Sequence, residues 1–273
     1  MAKMKKIWSS FKADLKAKPW LTCVYLLLRM SIIGVMIAQI FNQDWLNVTL
    51  CILSLILFMV PSFIERRLYI DIPDVLEVIV LCFIYAAEIL GEIRAYYISF
   101  PFWDTMLHTT TGFLAAAVGF SLVDILNRNR KENFNLSPFY MAVVAFCFSM
   151  TIAVLWEFIE FGCDTFLGLD MQKDTVVHTI RSVALDPTKS NKVVTISNIT
   201  EVTVNGVDLG LGGYLDIGLI DTMKDMFVNF IGAIVFSVIG FFYVKNRGNG
   251  RFAKRFIPTV IEKEKEGPEE EWK

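Results

Sequence analysis

Histidine is nearly missing from this 273-residue chain, which has only His108 and His178. Its five cysteines, Cys23, Cys51, Cys82, Cys147 and Cys163, occur singly, and none forms C-x-x-C. They read as small buried hydrophobes rather than a disulfide framework. No G-x-S-x-G, P-loop, H-E-x-x-H or G-x-G-x-x-G occurs, which removes support for those enzyme classes. There is no internal repeat. Charge is also sparse, at 20% of residues, and unevenly placed: 21 of the 54 Asp, Glu, Lys and Arg lie in residues 1–20 and 245–273. The 224 residues between hold only 33. Such a chain is not a disordered protein, a coiled coil or a water-soluble enzyme.

Apolar residues are abundant. They make up 55% of the chain, and mean hydropathy is +0.51. A helix needs about 20 mostly apolar residues to cross about 30 Å of hydrocarbon. Six stretches meet that demand: 20–41, 46–64, 75–91, 103–126, 138–161 and 223–244. The third is short and carries Glu77 and Glu88, and the first carries Arg29.

Lys and Arg in the flanks set the orientation. They crowd residues 1–19, the connections after spans two and four, and the segment after span six. The opposite side has none between spans one and two and Arg94 alone between three and four. Both termini are expected on the cytoplasmic side and the long fifth-to-sixth loop outside. The N-terminus lacks the uninterrupted apolar run and A-x-A site of a signal peptide. Ile7, Trp8, Phe11 and Leu15 share a helical face among lysines, predicting a helix on the leaflet surface. Phe252, Phe256 and Ile257 among basic residues suggest the same for the C-terminal side.

The expected fold is an all-α membrane protein, a six-helix transmembrane bundle with a small external β-hairpin cap between spans five and six. The chain divides into a cytoplasmic amphipathic segment (1–19), spans one to five (20–161), an external loop (162–220), span six (221–244) and a charged cytoplasmic tail (245–273). In the loop, 193–196 and 202–204 are rich in β-formers. Asn205-Gly206 predicts a hairpin pairing 202–204 with 207–209. Asn198-Ile199-Thr200 is a formal glycosylation acceptor.

Ionisable residues inside spans cost several kcal/mol unless partnered, and here they recur at helical spacing. Asp104 and His108 are four apart, with Gly112, Ala116 and Gly119 continuing the stripe. Glu157, Glu160 and Asp164 share one face of span five. Asp221, Asp225, Asn229 and Gly232 share one face of span six, while Glu88, Glu92 and Arg94 end span three. With alternating orientation, all of these reach the outer end of the bundle. Eight carboxylates cannot all stay ionised together in a low-dielectric pocket unless a cation neutralises them. Asp104, His108, Glu157, Glu160, Asp221 and Asp225 are therefore candidate ligands of a divalent metal: Zn, Mn, Fe or Mg. Glu157 and Glu160 are the candidate catalytic residues. Glu88, Glu92, Arg94, Asp164 and Asn229 are candidate pocket members. His178 reads as a solvent-exposed loop residue, and Trp103 and Trp156 as interface aromatics.

The runs F-W-D-T-M-L-H-T-T-T-G, W-E-F-I-E-F and D-T-M-K-D-M-F-V-N-F-I-G-A resemble the YjdF-like family of bacterial inner-membrane proteins over roughly 75–245. A fainter resemblance is to VanZ-like proteins, which share a membrane His, a later Glu motif and a final D-x-x-x-N-x-x-G. Asp225, Asn229 and Gly232 match that last element; the Glu–Gln spacing and Arg of that group have no clear match. The resemblance implies a bacterial plasma-membrane location and, through the VanZ-like group, the cell envelope. It supplies no substrate.

Three readings stand open. One is a metal-dependent hydrolase or transferase acting on a lipid or envelope precursor, with a glutamate as general base. The second is a non-catalytic envelope module with a structural acid–histidine network. The third is a cation-binding or transport protein, against which the inner halves of spans four to six argue: they are apolar or small apart from Asp124, and only Glu77 and Arg29 hint at a polar path. The bilayer is the expected partner and nucleic acid is not. The oligomeric state is left open.

Overall fold

The computed structural model describes residues 18–128, 136–246 and 248–260. The predicted helix at Ile7–Leu15 and the acidic end of the tail lie outside them. The architecture is mostly helical. Helix α1 (Pro19–Phe41) starts with proline in its first turn, where no N–H is needed. Asp44 caps α2 (Trp45–Leu57), accepting the Asn47 N–H at 3.1 Å. A break at Phe58–Met59 leads into α3 (Val60–Leu68), which Tyr69 ends in left-handed conformation. Helix α4 (Asp74–Ile84) passes directly into a π-helix (Tyr85–Ile93), and a single helical turn, α5 (Tyr96–Ser99), follows. Then come α6 (Trp103–Arg128), α7 (Pro138–Leu167) and α8 (Leu219–Lys245). Ser137 caps α7 through the Tyr140 N–H, and Gly168 ends it at φ +67°.

Five helices among the described residues are long and apolar enough to cross a membrane: Pro19–Phe41, Trp45–Glu65, Trp103–Asn127, Pro138–Leu167 and Leu219–Lys245. Only 11–39% of each apolar window is buried. Most of each helix thus presents apolar side chains outward, as lipid-facing helices do. The expected third span is not among the five. Glu77 and Glu88 dilute its apolar character, and the helix changes from α to π half-way.

The helices α6, α7 and α8 pack most extensively on one another. Their contacts depend on small residues. A Cβ on Gly112 of α6 would stand 2.1 Å from the Asn229 carbonyl oxygen of α8, and one on Gly232 would stand 2.1 Å from the Thr109 carbonyl. The two backbones touch because both positions are glycine. Ser149 of α7 donates its hydroxyl to the Gly112 carbonyl at 2.8 Å. Below this crossing the core is Ala116, Ala117, Phe120, Met141, Ala145, Ala233 and Phe236. A second cluster, Leu21, Ile32, Cys51, Phe58, Leu81 and Ile89, joins α1, α2, α4 and the π-helix.

The segment after α8 departs from expectation. Phe256 and Ile257 do not lie on a membrane surface; they are buried in the main core at 7% and 3% exposure. The Phe256 ring meets Phe113 at 5.0 Å and Phe236 at 6.4 Å. Strand β8 (Thr259–Val260) then pairs antiparallel with β1 (Ile70–Asp71). Only Phe252, 53% exposed, behaves as a surface aromatic.

Between α7 and α8 the chain forms three small antiparallel pairs. They are β2 (Val176–Val177) with β7 (Tyr214–Leu215), β3 (Thr179–Ser182) with β4 (Val194–Ser197), and β5 (Thr203–Val204) with β6 (Val207–Asp208). The last is the hairpin expected at Asn205-Gly206. Its turn residues have φ +52° and +83°, as a two-residue primed turn requires. Strand 194–197 also falls where the β-formers are. His178 is exposed, its Nδ1 3.0 Å from the Ile199 carbonyl.

Candidate metal centre

The Gly112–Asn229 contact sets the spacing of the residues one turn further out. His108 precedes Gly112 by four and Asp225 precedes Asn229 by four, so both stack above the crossing on facing stripes. His108 Nε2 lies 3.7 Å from Asp225 Oδ2 and 3.4 Å from Asp104 Oδ1, one turn along α6. One atom from each of Asp104, His108 and Asp225 falls within a mutual 4.8 Å, the one such group among the described residues. The Asp225 side chain is 2% exposed and that of His108 14%.

Several acceptors here have no partner. Asp225 Oδ1, Asp104 Oδ2, Glu157 Oε2 and Asn229 Oδ1 are buried without a hydrogen bond. Burying a carboxylate oxygen unpaired costs at least about 1–3 kcal/mol, more when it is charged. Three carboxylate oxygens and one amide oxygen on three adjoining helices are left in this way. Such a set suits a cation, which takes oxygen and imidazole ligands and needs no hydrogen.

The other candidates divide. Glu157 is buried, at 6% exposure. Glu160, 7% exposed, accepts the Trp156 indole N–H at 2.6 Å, so Trp156 anchors a carboxylate and is more than an interface aromatic. Asp221 accepts the Lys173 backbone N–H at 2.9 Å. Asn229, 1% exposed, directs its amide N–H to Met150 Sδ at 3.8 Å. Asp164 is turned away from the cluster. Its two oxygens accept the Met171 and Gln172 backbone N–H groups at 2.6 and 2.8 Å, so it ties the start of the loop to the end of α7. Gln172 completes that link through Thr222 Oγ at 2.6 Å. Glu88 is half-buried on the π-helix; Glu92 and Arg94 are exposed at its end.

One neighbour of these acids carries no signal in the sequence. Tyr97, on α5, packs its ring where a Cβ on Gly91 would stand 2.4 Å away. Burial foremost, then Glu92, Asp104, Glu88 and Glu160 nearby, pushes its phenol up. A tyrosine in an aromatic run between spans gives no signal of this. Only the turn at Ala95, with φ +54°, folds it inward.

A family model described as "Predicted membrane protein (DUF2238)" matches residues 21–246. The chain belongs to this family. The DUF2238 match takes in every residue of the centre and leaves out the segment 248–260 that plugs the core. It bears out membership of a membrane-protein family; the YjdF-like and VanZ-like names are finer than it reaches. No curated protein and no solved structure matches the chain.

Proposed function

We propose that this membrane protein holds a divalent cation on Asp104, His108 and Asp225 and uses it in hydrolysis or group transfer on a lipid or cell-envelope substrate. The observation that carries the reading is the convergence of three ligand atoms within 4.8 Å, with buried acceptors among these residues that make no hydrogen bond. Two carboxylates and an imidazole suit Zn, Mn, Fe or Mg and leave coordination positions open for water or substrate. Glu157 is the general base in this reading, because its Oε2 is buried and unpartnered beside the cluster. Glu160, held by Trp156, keeps Glu157 company as a positioned carboxylate, and Asp221 steadies the loop above. Transport fits less well. The layer beneath the cluster is mostly apolar, with Ala116, Ala117, Phe120, Phe236 and Phe256, and only Ser121, Asp124 and Ser237 interrupt it on α6 and α8.

The finer topology belongs to the same reading. The continuous α4–π helix, Asp74 to Ile93, makes the sixth crossing. Both termini face the cytoplasm of a bacterial inner membrane, as the Lys and Arg distribution favours. The strands of 176–215 cap the centre from outside.

Turnover tests the catalytic part. Glu157→Gln is expected to retain metal and lose at least about 100-fold of any metal-dependent hydrolysis of lipid or envelope esters. Unchanged turnover in that variant contradicts the role. For the topology, single cysteines at Ser190 and Arg67 in a cysteine-free background should label from opposite sides with an impermeant reagent. Labelling from one side rejects the six-crossing arrangement.

A further inference from the structure

Lys224 precedes Asp225 on α8 and lies beside Asp104. Its Nζ lies 3.9 Å from Asp104 Oδ2, and 43% of its side chain is exposed. At that distance the contact is Coulombic and leaves the ammonium N–H groups available to another acceptor. The neighbouring lysine is committed elsewhere. Lys173 gives its backbone N–H to Asp221 and its ammonium to the Asp170 carbonyl and carboxylate. Among the described residues, Lys224 is therefore the half-exposed ammonium that stands against a residue of the centre and stays available.

A divalent cation on two carboxylates and a neutral imidazole has no net charge left in its ligand shell. The Lys224 ammonium then adds one positive charge beside the open coordination positions. A ligand that uses both features needs hard oxygens for the cation and negative charge for the ammonium. A phosphate ester supplies these on one tetrahedral group. A neutral ester or a sugar hydroxyl would leave Lys224 unused.

We propose that the centre takes a phosphate-bearing substrate, its phosphoryl oxygens shared between the bound cation and Lys224. This rests on reading Asp104, His108 and Asp225 as a metal centre. The phosphate is the common chemistry of a lipid headgroup and a free phosphate ester.

The test uses the full chain in detergent, loaded with Mn²⁺, as wild type, K224Q and K224R. Metal content is measured first; inorganic phosphate, dioctanoyl phosphatidic acid and acetate are then titrated calorimetrically. Phosphate and the short-chain lipid should bind only the loaded protein, with acetate much weaker. K224Q should weaken phosphate by about tenfold or more at unchanged metal content, and K224R should restore most of the loss. Tighter binding of the lipid than of inorganic phosphate identifies a headgroup site, and equal binding a site for free phosphate. Metal-loaded wild type that ignores phosphate, or K224Q that binds it equally, overturns this inference alone. Protein that takes up no metal overturns it together with the metal reading.

Discussion

Gly112 and Asn229 meet backbone to backbone: a Cβ on the glycine would stand 2.1 Å from the asparagine carbonyl oxygen. One helical turn outward, His108 and Asp225 come to 3.7 Å. The closeness of the second pair is set by the closeness of the first.

Gly112→Ala should therefore act on the centre without touching it. The methyl group meets rigid backbone, so α6 and α8 must separate. The expected cost is about 1–3 kcal/mol of stability, with a fall in metal content. Gly162→Ala is the control, since a Cβ there meets nothing within 4 Å. It should be neutral or slightly stabilising. Melting temperature and metal content of the two purified variants check this.

Asp164 holds the loop down through the Met171 and Gln172 N–H groups. Asp164→Ala removes both acceptors, a local loss of about 1–3 kcal/mol. Residues 168–175 should then become readily cleaved by protease, while the spans stay intact. Equal cleavage of wild type and variant would show that Asp164 does not anchor the loop.

In the loop, Asp186 accepts the hydroxyls of Thr188 and Ser190 and the backbone N–H groups of Thr188, Ser190 and Lys192. The Thr188 hydroxyl foremost holds its carboxyl well below the usual carboxylate range. A depressed folded pKa stabilises the turn above the unfolded value, about 3.9. That stability is lost as pH falls through the folded value. Amide protection at Thr188, Ser190 and Lys192 should hold at pH 5 and drop below about pH 3. In Asp186→Asn it should be low throughout and independent of pH.

The burial of Phe256 against Phe113 and Phe236 makes the segment after α8 part of the core. Phe256→Ala should cost about 3–5 kcal/mol, read as a large drop in melting temperature. Phe252→Ala, at an exposed position, should change stability by less than about 0.5 kcal/mol.

What the sequence revealed follows from what each signal depends on. Apolar length is a local property, and five of the six expected crossings are helices of the required length and character. The Asn205-Gly206 turn is likewise local, and its hairpin is present. The stripe Asp104–His108 and the stripe Asp225–Asn229 depend only on helical periodicity. Their meeting required one further inference, that alternate spans bring like ends together. Long-range packing was less legible. Phe256 and Ile257 among basic residues have the pattern of a surface helix, and only long-range packing in the core with Phe113 and Phe236 draws them inward. Tyr97 depends on one left-handed residue, Ala95, which is not a residue type that announces a turn. Asp164 shares a helical face with Glu157 and Glu160, yet it sits at the end of α7, where backbone N–H groups of the loop compete for it and win.

The central claim is that Asp104, His108 and Asp225 hold a divalent cation. Its most direct test is elemental analysis of the purified full-length protein beside His108→Ala and Asp225→Asn, with melting curves before and after chelation. The account predicts about one equivalent of metal per wild-type chain, little or none in either variant, and a lower melting temperature when wild type is chelated. Folded wild-type protein with no metal after exposure to Zn²⁺, Mn²⁺, Fe²⁺ and Mg²⁺, and a melting temperature indifferent to chelator, would contradict it.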